Sequence, residues 1–278
     1  MSYIKTALKE DIGKGDVTTD LLFNTRDAKH CVSTFYLIVN ENAVISGLEI
    51  FKKTFKTLDK NIIIKSKYKD GDNVKKGRVV ASLRGKVSSI LKAERTALNF
   101  ICHLSGIATT TRKLISLVSK TNVVLLDTRK TTPNLRLLEK QAVRHGGGTN
   151  HRFNLSDMIL IKGNHLDKST KVNELIQKAK KRLHALKIEV EVRNLSELKK
   201  IIDAKPDIIM FDNWSPKNLK KAIKLIPKNI QTEASGQITP QNILAYAKTG
   251  VKRISTSYMV KNSRWIDFAL RVIINKQR

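Results

Sequence analysis

Cysteine is nearly absent from the 278 residues. Cys31 and Cys102 cannot build a disulfide framework or a cysteine metal cage, and the simplest compartment is a reducing cytoplasm. Aromatic side chains make up 5%, thin for the base-stacking platforms of nucleic-acid binders. Five prolines and thirteen glycines exclude collagen-like and low-complexity chains. No apolar run reaches the ~18 residues of a membrane span. The stretch from Met1 to Asp11 lacks the apolar core of a secretory signal. Acidic residues are also scarce: 24 Asp and Glu face 53 Lys and Arg, a net charge of +29. Such a charge suits nucleic acid, anionic membranes or small polyanions. The lysines, however, are scattered from end to end with no dense basic block. A solvated, compositionally basic surface accounts for them, so neither a membrane nor a nucleic-acid partner is expected.

What is present fits a globular chain: 41% hydrophobic and 28% charged residues, enough for one large domain or two modest ones. The first hundred residues read as mixed α/β. A short amphipathic helix at 2–10 leads into a turn-rich segment at 10–20. Val32–Val39, 43–45, 61–64 and 78–83 are strand-like, and 69–77 holds two turns around a β segment. Residues 88–104 form a helix ended by Ser105-Gly106, followed by a second at 109–120. Cys102 falls on the apolar face of the first of these, a place for burial.

Beyond residue 121 short apolar runs recur, each ending in a polar or charged residue. They are 123–126, 158–161, 188–192, 208–211, 230–232 and 253–255, with helical stretches at 171–185, 195–204, 216–226 and 240–248. This alternation predicts a parallel β/α structure with buried strands, a barrel with its chemistry at the C-terminal strand ends. A doubly wound open sheet is the alternative, although no G-x-G-x-x-G follows the first strand.

On a barrel, Arg129, Lys130, His151, Arg152 and Lys162 converge on one mouth, a lining that suits a polyanion. Arg136, Lys140 and Arg144 read as a solvated helix face. Gly146-Gly147-Gly148 is either a plain loop or a close backbone approach to an anion. Glu189 and Glu191 share one strand face and, with Asp212, either hold Mg²⁺ jointly with phosphates or form internal salt bridges to Lys130 or Lys162. A Glu189 facing the interior needs a cation or hydroxyl to offset its desolvation. Ser235-Gly236 and Ser255-Thr256-Ser257, with Lys261 nearby, follow the last two strands, where barrels often bind phosphate. The histidines 145, 151 and 165 lack zinc spacing.

Three segments then become familiar: Asp127-Thr128-Arg129-Lys130-Thr131-Thr132-Pro133, Leu135-Arg136-Leu137-Leu138-Glu139-Lys140, and Gly146-Gly147-Gly148-Thr149-Asn150-His151-Arg152. With Glu94-Arg95-Thr96-Ala97-Leu98-Asn99-Phe100, Leu104-Ser105-Gly106-Ile107-Ala108-Thr109, Glu189-Val190-Glu191-Val192, Asp212-Asn213 and Glu233-Ala234-Ser235-Gly236, the chain closely resembles the quinolinate phosphoribosyltransferase family over nearly its whole length.

The resemblance implies an N-terminal α/β sandwich (1–104, rejoined by 265–278) and an incomplete, roughly seven-stranded β/α barrel (105–264). It implies at least a homodimer in which Arg95 reaches the partner's site. The implied reaction moves phosphoribosyl from phosphoribosyl pyrophosphate (PRPP) to quinolinate, releasing pyrophosphate and CO₂ and leaving nicotinate mononucleotide. Arg129, His151, Arg152 and Lys162 would hold the quinolinate carboxylates. Lys130 would contact PRPP, Glu191 and Asp212 the ribose and Mg²⁺, and Ser235, Gly236, Ser257 and Lys261 the 5′-phosphate. Lys130, Glu191 and Asp212 would stand at the reacting centre.

Four positions depart from the family pattern: Gly163 for a usual acid, Ser257 for a glycine, Lys261 for a histidine, and His145 for a cysteine or small residue, the last with little effect expected. Ser257 would crowd the backbone if that position needs positive φ. The competing readings are the related proteins encoded beside molybdate transporters, a basic nucleic-acid binder and a decayed enzyme. The first lack the full Thr-Arg-Lys-Thr-Thr-Pro and Asn-His-Arg runs kept here.

Overall fold

The computed structural model describes residues 2–23, 31–166, 172–182 and 185–272. Residues 273–278 of the expected returning segment and residues 171, 183 and 184 of the expected 171–185 helix lie outside these. In chain order the elements are α1 (Ser2–Ile12), α2 (Val17–Phe23), β1 (Val32–Val39), β2 (Ala43–Val44), α3 (Leu48–Leu58), β3 (Ile63–Ser66), β4 (Asn73–Val74), β5 (Val79–Lys86), α4 (Val87–Val118), β6 (Val124–Leu126), α5 (Arg136–His145), β7 (Ile159–Ile161), α6 (Gly163–Leu166), α7 (Val172–Arg182), β8 (Ile188–Val192), α8 (Leu195–Ile202), β9 (Ile208–Asp212), α9 (Pro216–Ile223), β10 (Gln231–Ser235), α10 (Ile243–Ala247), β11 (Arg253–Ser255), α11 (Tyr258–Lys261) and β12 (Phe268–Val272).

They form two compact units. One takes the described residues of Met1–Thr110, Thr132–Gly147 and Ser263–Arg278; the other those of Thr111–Thr131 and Gly148–Asn262.

The first unit carries an antiparallel sheet in the order β12-β1-β5-β3. Strand β1 alternates, with Phe35, Leu37 and Val39 buried. Helix α3 presents Leu48, Phe51 and Phe55 at helical spacing, all fully or nearly fully buried, with the two rings edge to face at 5.0 Å. Each such burial contributes roughly 1.5–3 kcal/mol. Hydropathy alone leaves α3 unassigned, because its polar face carries Glu49, Lys52, Lys53 and Lys56. Likewise α2 replaces part of the expected turn segment; Asp16 accepts from the Thr19 amide at 3.0 Å and starts it.

The expected break at Ser105-Gly106 is absent, and α4 runs through as one helix. Ser105 and Gly106 are there for packing. The Ser105 hydroxyl accepts from the Ser46 amide at 3.0 Å and donates to its carbonyl at 3.1 Å. A Cβ on Gly106 would lie 2.1 Å from the Arg264 carbonyl oxygen.

Lys140 also departs from expectation: it is 3% exposed, so α5 buries part of the cationic face that composition assigned to solvent. Glu139 on the same helix is fully buried. It accepts from the Thr132 amide at 3.0 Å and pairs with His103 Nε2 at 2.8 Å. Burial works against its charge, but His103 and Thr132 outweigh that and hold the carboxyl below its ordinary 4.5. The folded carboxyl thus binds its proton less readily than the unfolded one. Its stabilisation is present above the unfolded value and is lost as pH falls through the folded one. Glu139→Gln is expected to cost about 1–3 kcal/mol at pH 7. Denaturant unfolding of both proteins should show that gap narrowing toward pH 3; an equal gap at both pH values would refute it.

The second unit is built on a parallel sheet ordered β6-β11-β10-β9-β8-β7. Strands β8 and β9 are buried along nearly their whole length, as strands covered on both faces must be. The roughly seven strands expected are six among the described residues. Thr149 adds a single parallel bridge to Leu126 on the open side of β6. Asn194 and Ser215 cap α8 and α9 by accepting from Glu197 and Asn218 amides, and Pro216 occupies the first turn of α9. Because the strands are parallel, their C-terminal residues gather at one end of the sheet.

Candidate active site

Strand β6 delivers Asp127, which is fully buried. Its carboxylate accepts the His151 amide at 2.8 Å and the Asn150 side-chain amide at 2.7 Å. These bonds staple the loop after the three glycines to the end of β6. Arg129 and Arg152 are thereby neighbours. Burial makes the Arg152 guanidinium harder to charge than usual, and the Arg129 charge adds to that. Arg129 Nε is buried with no hydrogen-bond partner among the described residues. Two crowded guanidinium groups, one with a buried donor unused, have the chemistry to receive an anion. Lys162 ends β7 and is exposed, standing 3.7 Å from Glu191 on β8. Lys130 is exposed beside Arg129.

Below these lies a closed ionic cluster. Glu189 and Glu233 are fully buried, and His151 Nε2 lies 3.1 Å from the first and 3.4 Å from the second. Arg253 Nε sits 2.9 Å from the other oxygen of Glu233. This answers the cation that Glu189 needs: it is histidine, not lysine. Burial pushes the Glu189 carboxyl up, and Glu233 beside it adds to the rise. Burial pulls His151 down, but its hydrogen bonds to Glu189 and Glu233 reverse this and raise it to about 9. The Arg152 amide donates to Nδ1 at 2.8 Å.

Of the other expected residues, Glu191 and Asp212 end neighbouring strands, and Asp212 accepts from the Asn213 side chain at 2.8 Å. Ser235 ends β10, and its carbonyl accepts the Asn213 amide at 2.9 Å. Gly236 has φ +97°, and a Cβ there would fall 2.8 Å from the Asn213 backbone nitrogen. Ser257 has φ −83°, so the positive φ that would have made serine a strain is not required. Lys261 is exposed on α11. Gly163 leaves room for the Arg193 guanidinium, whose carbon lies 3.1 Å from where a Cβ would be; Arg193 pairs with Glu197.

The second unit thus brings Arg129 and His151 beside Arg152, and Lys162 beside Glu191. Arg95 is exposed on α4 in the first unit. Sequence reasoning did not assign Asp127, Glu233 or Arg253. The signal for the last two is register: Glu233 and Arg253 are paired residues of adjacent parallel strands.

Comparison with known proteins finds relatives along nearly the whole chain. Residues 16–105 match the profile described as quinolinate phosphoribosyl transferase, N-terminal domain, and residues 107–271 match that of its C-terminal domain. A probable nicotinate-nucleotide pyrophosphorylase (carboxylating) from Bacillus subtilis is 39% identical over 96% of this chain and 91% of its own. The solved structure of the nicotinate-nucleotide pyrophosphorylase from Francisella tularensis superposes with a TM-score of 0.92 at 42% identity, covering 98% and 95% of the two chains. NadC from Streptococcus pyogenes gives 0.90 at 36% identity, covering 98% and 96%. With both profiles matched in order across nearly the whole chain, this protein belongs to the quinolinate phosphoribosyltransferase family.

Proposed function

We propose that the protein transfers the phosphoribosyl group of PRPP to quinolinate with decarboxylation, forming nicotinate mononucleotide, pyrophosphate and CO₂ in NAD biosynthesis. The observation that carries this is the buried, unused Arg129 Nε beside Arg152, a cationic seat that a pyridine dicarboxylate neutralises. In this reading Arg129, Arg152 and Lys162 grip the two carboxylates and aim the ring nitrogen. That nitrogen attacks the anomeric carbon as the bond to pyrophosphate breaks. Positive charge builds on the ribose, and Glu191 and Asp212 oppose it. Lys130 meets the departing pyrophosphate. The positive ring nitrogen then stabilises the electron pair left on the adjacent carbon when its carboxylate departs as CO₂, and that carbon takes a proton from water to give nicotinate mononucleotide. Ser235 and Gly236, with Ser257 and Lys261, hold the 5′-phosphate.

Glu191 and Asp212 also suit Mg²⁺. Both are hard oxygen donors at adjacent strand ends, and Lys162 approaches Glu191 only to 3.7 Å. With PRPP oxygens they would hold the ion, which neutralises pyrophosphate charge when bound. We further infer a cytoplasmic homodimer or higher oligomer in which the partner subunit's Arg95 completes each site. No helix among the described residues is long and apolar enough to cross a membrane.

The test is to mix purified protein with quinolinate, PRPP and Mg²⁺. Nicotinate mononucleotide and CO₂ in equal amounts are the expected result. A folded protein that neither binds nor converts quinolinate would overturn the assignment. Salt-sensitive retention of nucleic acid in its place would favour the basic-binder reading.

A further inference from the structure

We propose that Glu139 is a positioning residue for Arg129: braced by His103, its carboxylate holds the Thr132 amide and so fixes the short loop that carries that guanidinium. This rests on the quinolinate reading of the site above.

The loop is short and tied at both ends. Upstream, β6 ends at Leu126, and the Asp127 amide donates to the Thr149 carbonyl at 3.1 Å. Four residues, 128–131, separate Asp127 from Thr132. Local turns shape them. The Lys130 amide donates to the Thr128 hydroxyl at 3.0 Å, and the Thr131 amide to the Arg129 carbonyl at 3.0 Å. Thr132 is the far anchor, and both of its backbone groups are engaged. Its amide donates to Glu139 Oε2 at 3.0 Å, and its carbonyl accepts the Leu135 amide at 3.1 Å.

Packing does not hold this anchor. Thr132 is exposed, and a cavity of about 430 Å³ lies beside it, with His103, Leu135 and Trp265 among its walls. The chain then turns sharply. Asn134 has φ +65°, a left-handed conformation that persists where the surroundings impose it. The fixed point is Glu139, fully buried on α5. His103 Nε2, from α4, meets its other oxygen at 2.8 Å. Each carboxylate oxygen thus has its own partner, which leaves the group one orientation, with Oε2 aimed at the loop. An ionised acceptor also binds an amide more strongly than a neutral one. Productive geometry tolerates about 0.5 Å of misplacement, so a loop released at Thr132 would carry Arg129 out of range.

Steady-state kinetics on variants of Glu139 and Arg129 tests this. Glu139→Leu removes both acceptor oxygens and is expected to raise KM for quinolinate about 10-fold, because a small misplacement of a binding group costs that much or more. Glu139→Gln keeps a carbonyl oxygen for the Thr132 amide and an NH₂ for His103, so quinolinate KM should stay within about twofold although the buried charge is gone. In an Arg129→Ala background Glu139→Leu should raise quinolinate KM no further, since it acts through that arginine. A purely structural role predicts a different pattern: both Glu139 variants lose stability, and each keeps its quinolinate KM while folded. An unmoved KM in Glu139→Leu, a Glu139→Gln as impaired as Glu139→Leu, or fully additive effects with Arg129→Ala would each overturn the proposal. If Glu139→Leu does not fold, His103→Ala is read the same way.

Amide hydrogen exchange on the unaltered protein needs no variant. The Thr132 N–H is expected to exchange about tenfold or more slowly than an unbonded amide, despite the exposure of its residue. Exchange at the rate of an open loop would show that Glu139 does not hold Thr132 and would overturn the proposal. Absence of product from the unaltered protein would instead strike the functional assignment, so the two failures are separable.

Discussion

Arg129→Ala is expected to lower kcat/KM for quinolinate by about 10³-fold, close to 4 kcal/mol of transition-state binding. The loss should fall on quinolinate and leave KM for PRPP nearly unchanged. The reason is geometric: Arg129 supplies the buried Nε that has no protein partner, next to a second guanidinium. Arg129→Lys should recover little, because an ammonium cannot reproduce the planar fork. Stability should hold steady or rise, since Arg129 disfavours the charge on Arg152 in the free protein. Such local conflict is expected at sites built for a ligand. Steady-state kinetics together with melting curves check both halves. A variant within tenfold of the parent would remove Arg129 from the carboxylate seat.

Gly106→Ala carries the largest expected effect on the fold. The added methyl would sit 2.1 Å from the Arg264 carbonyl oxygen and 3.5 Å from the Trp265 Cα, both backbone atoms that no rotamer change relieves. Either α4 or the 264–266 segment must move, although the Ile266 amide is bonded to the Cys102 carbonyl at 3.0 Å. Overpacking of this kind costs about 3 kcal/mol or more. For a chain of this size that lowers the melting temperature by roughly 6–12 °C. Chemical denaturation measures it directly; a loss under 1 kcal/mol would show that the segment yields easily.

Much of the second unit is readable before folding, because buried parallel strands announce themselves as short apolar runs. Each of the six expected runs overlaps a strand, and the residues at their ends, Asp127, Lys162 and Asp212, lie where a parallel sheet must gather them. Local propensity marks the glycine before Ile107 as a helix stop. Tertiary packing against the Arg264 carbonyl gives it another purpose, and propensity yields to it. Lys140 looks solvated by composition, yet packing of α5 buries it. The ionic cluster is the least legible part. Glu189 shows only that it needs a partner; that His151 and Arg253 supply the charge depends on strand register and on a loop returning across the strand ends. No spacing rule carries that information.

The pairing of β1 with β12 has a consequence in time. Phe35 lies opposite Val272 and Val39 opposite Phe268, so one flank of β1 is completed only by residues made near the end of synthesis. At translation speeds of roughly 5–20 residues per second, that flank waits on the order of ten seconds or more after β1 leaves the ribosome. Meanwhile β5 and β3 can pair on the other flank, and the parallel sheet can assemble behind them. A nascent chain stalled before residue 268 would present Val32–Val39 as an open edge, free to recruit strands from other molecules. Premature termination before residue 268 is then a solubility defect before it is a catalytic one.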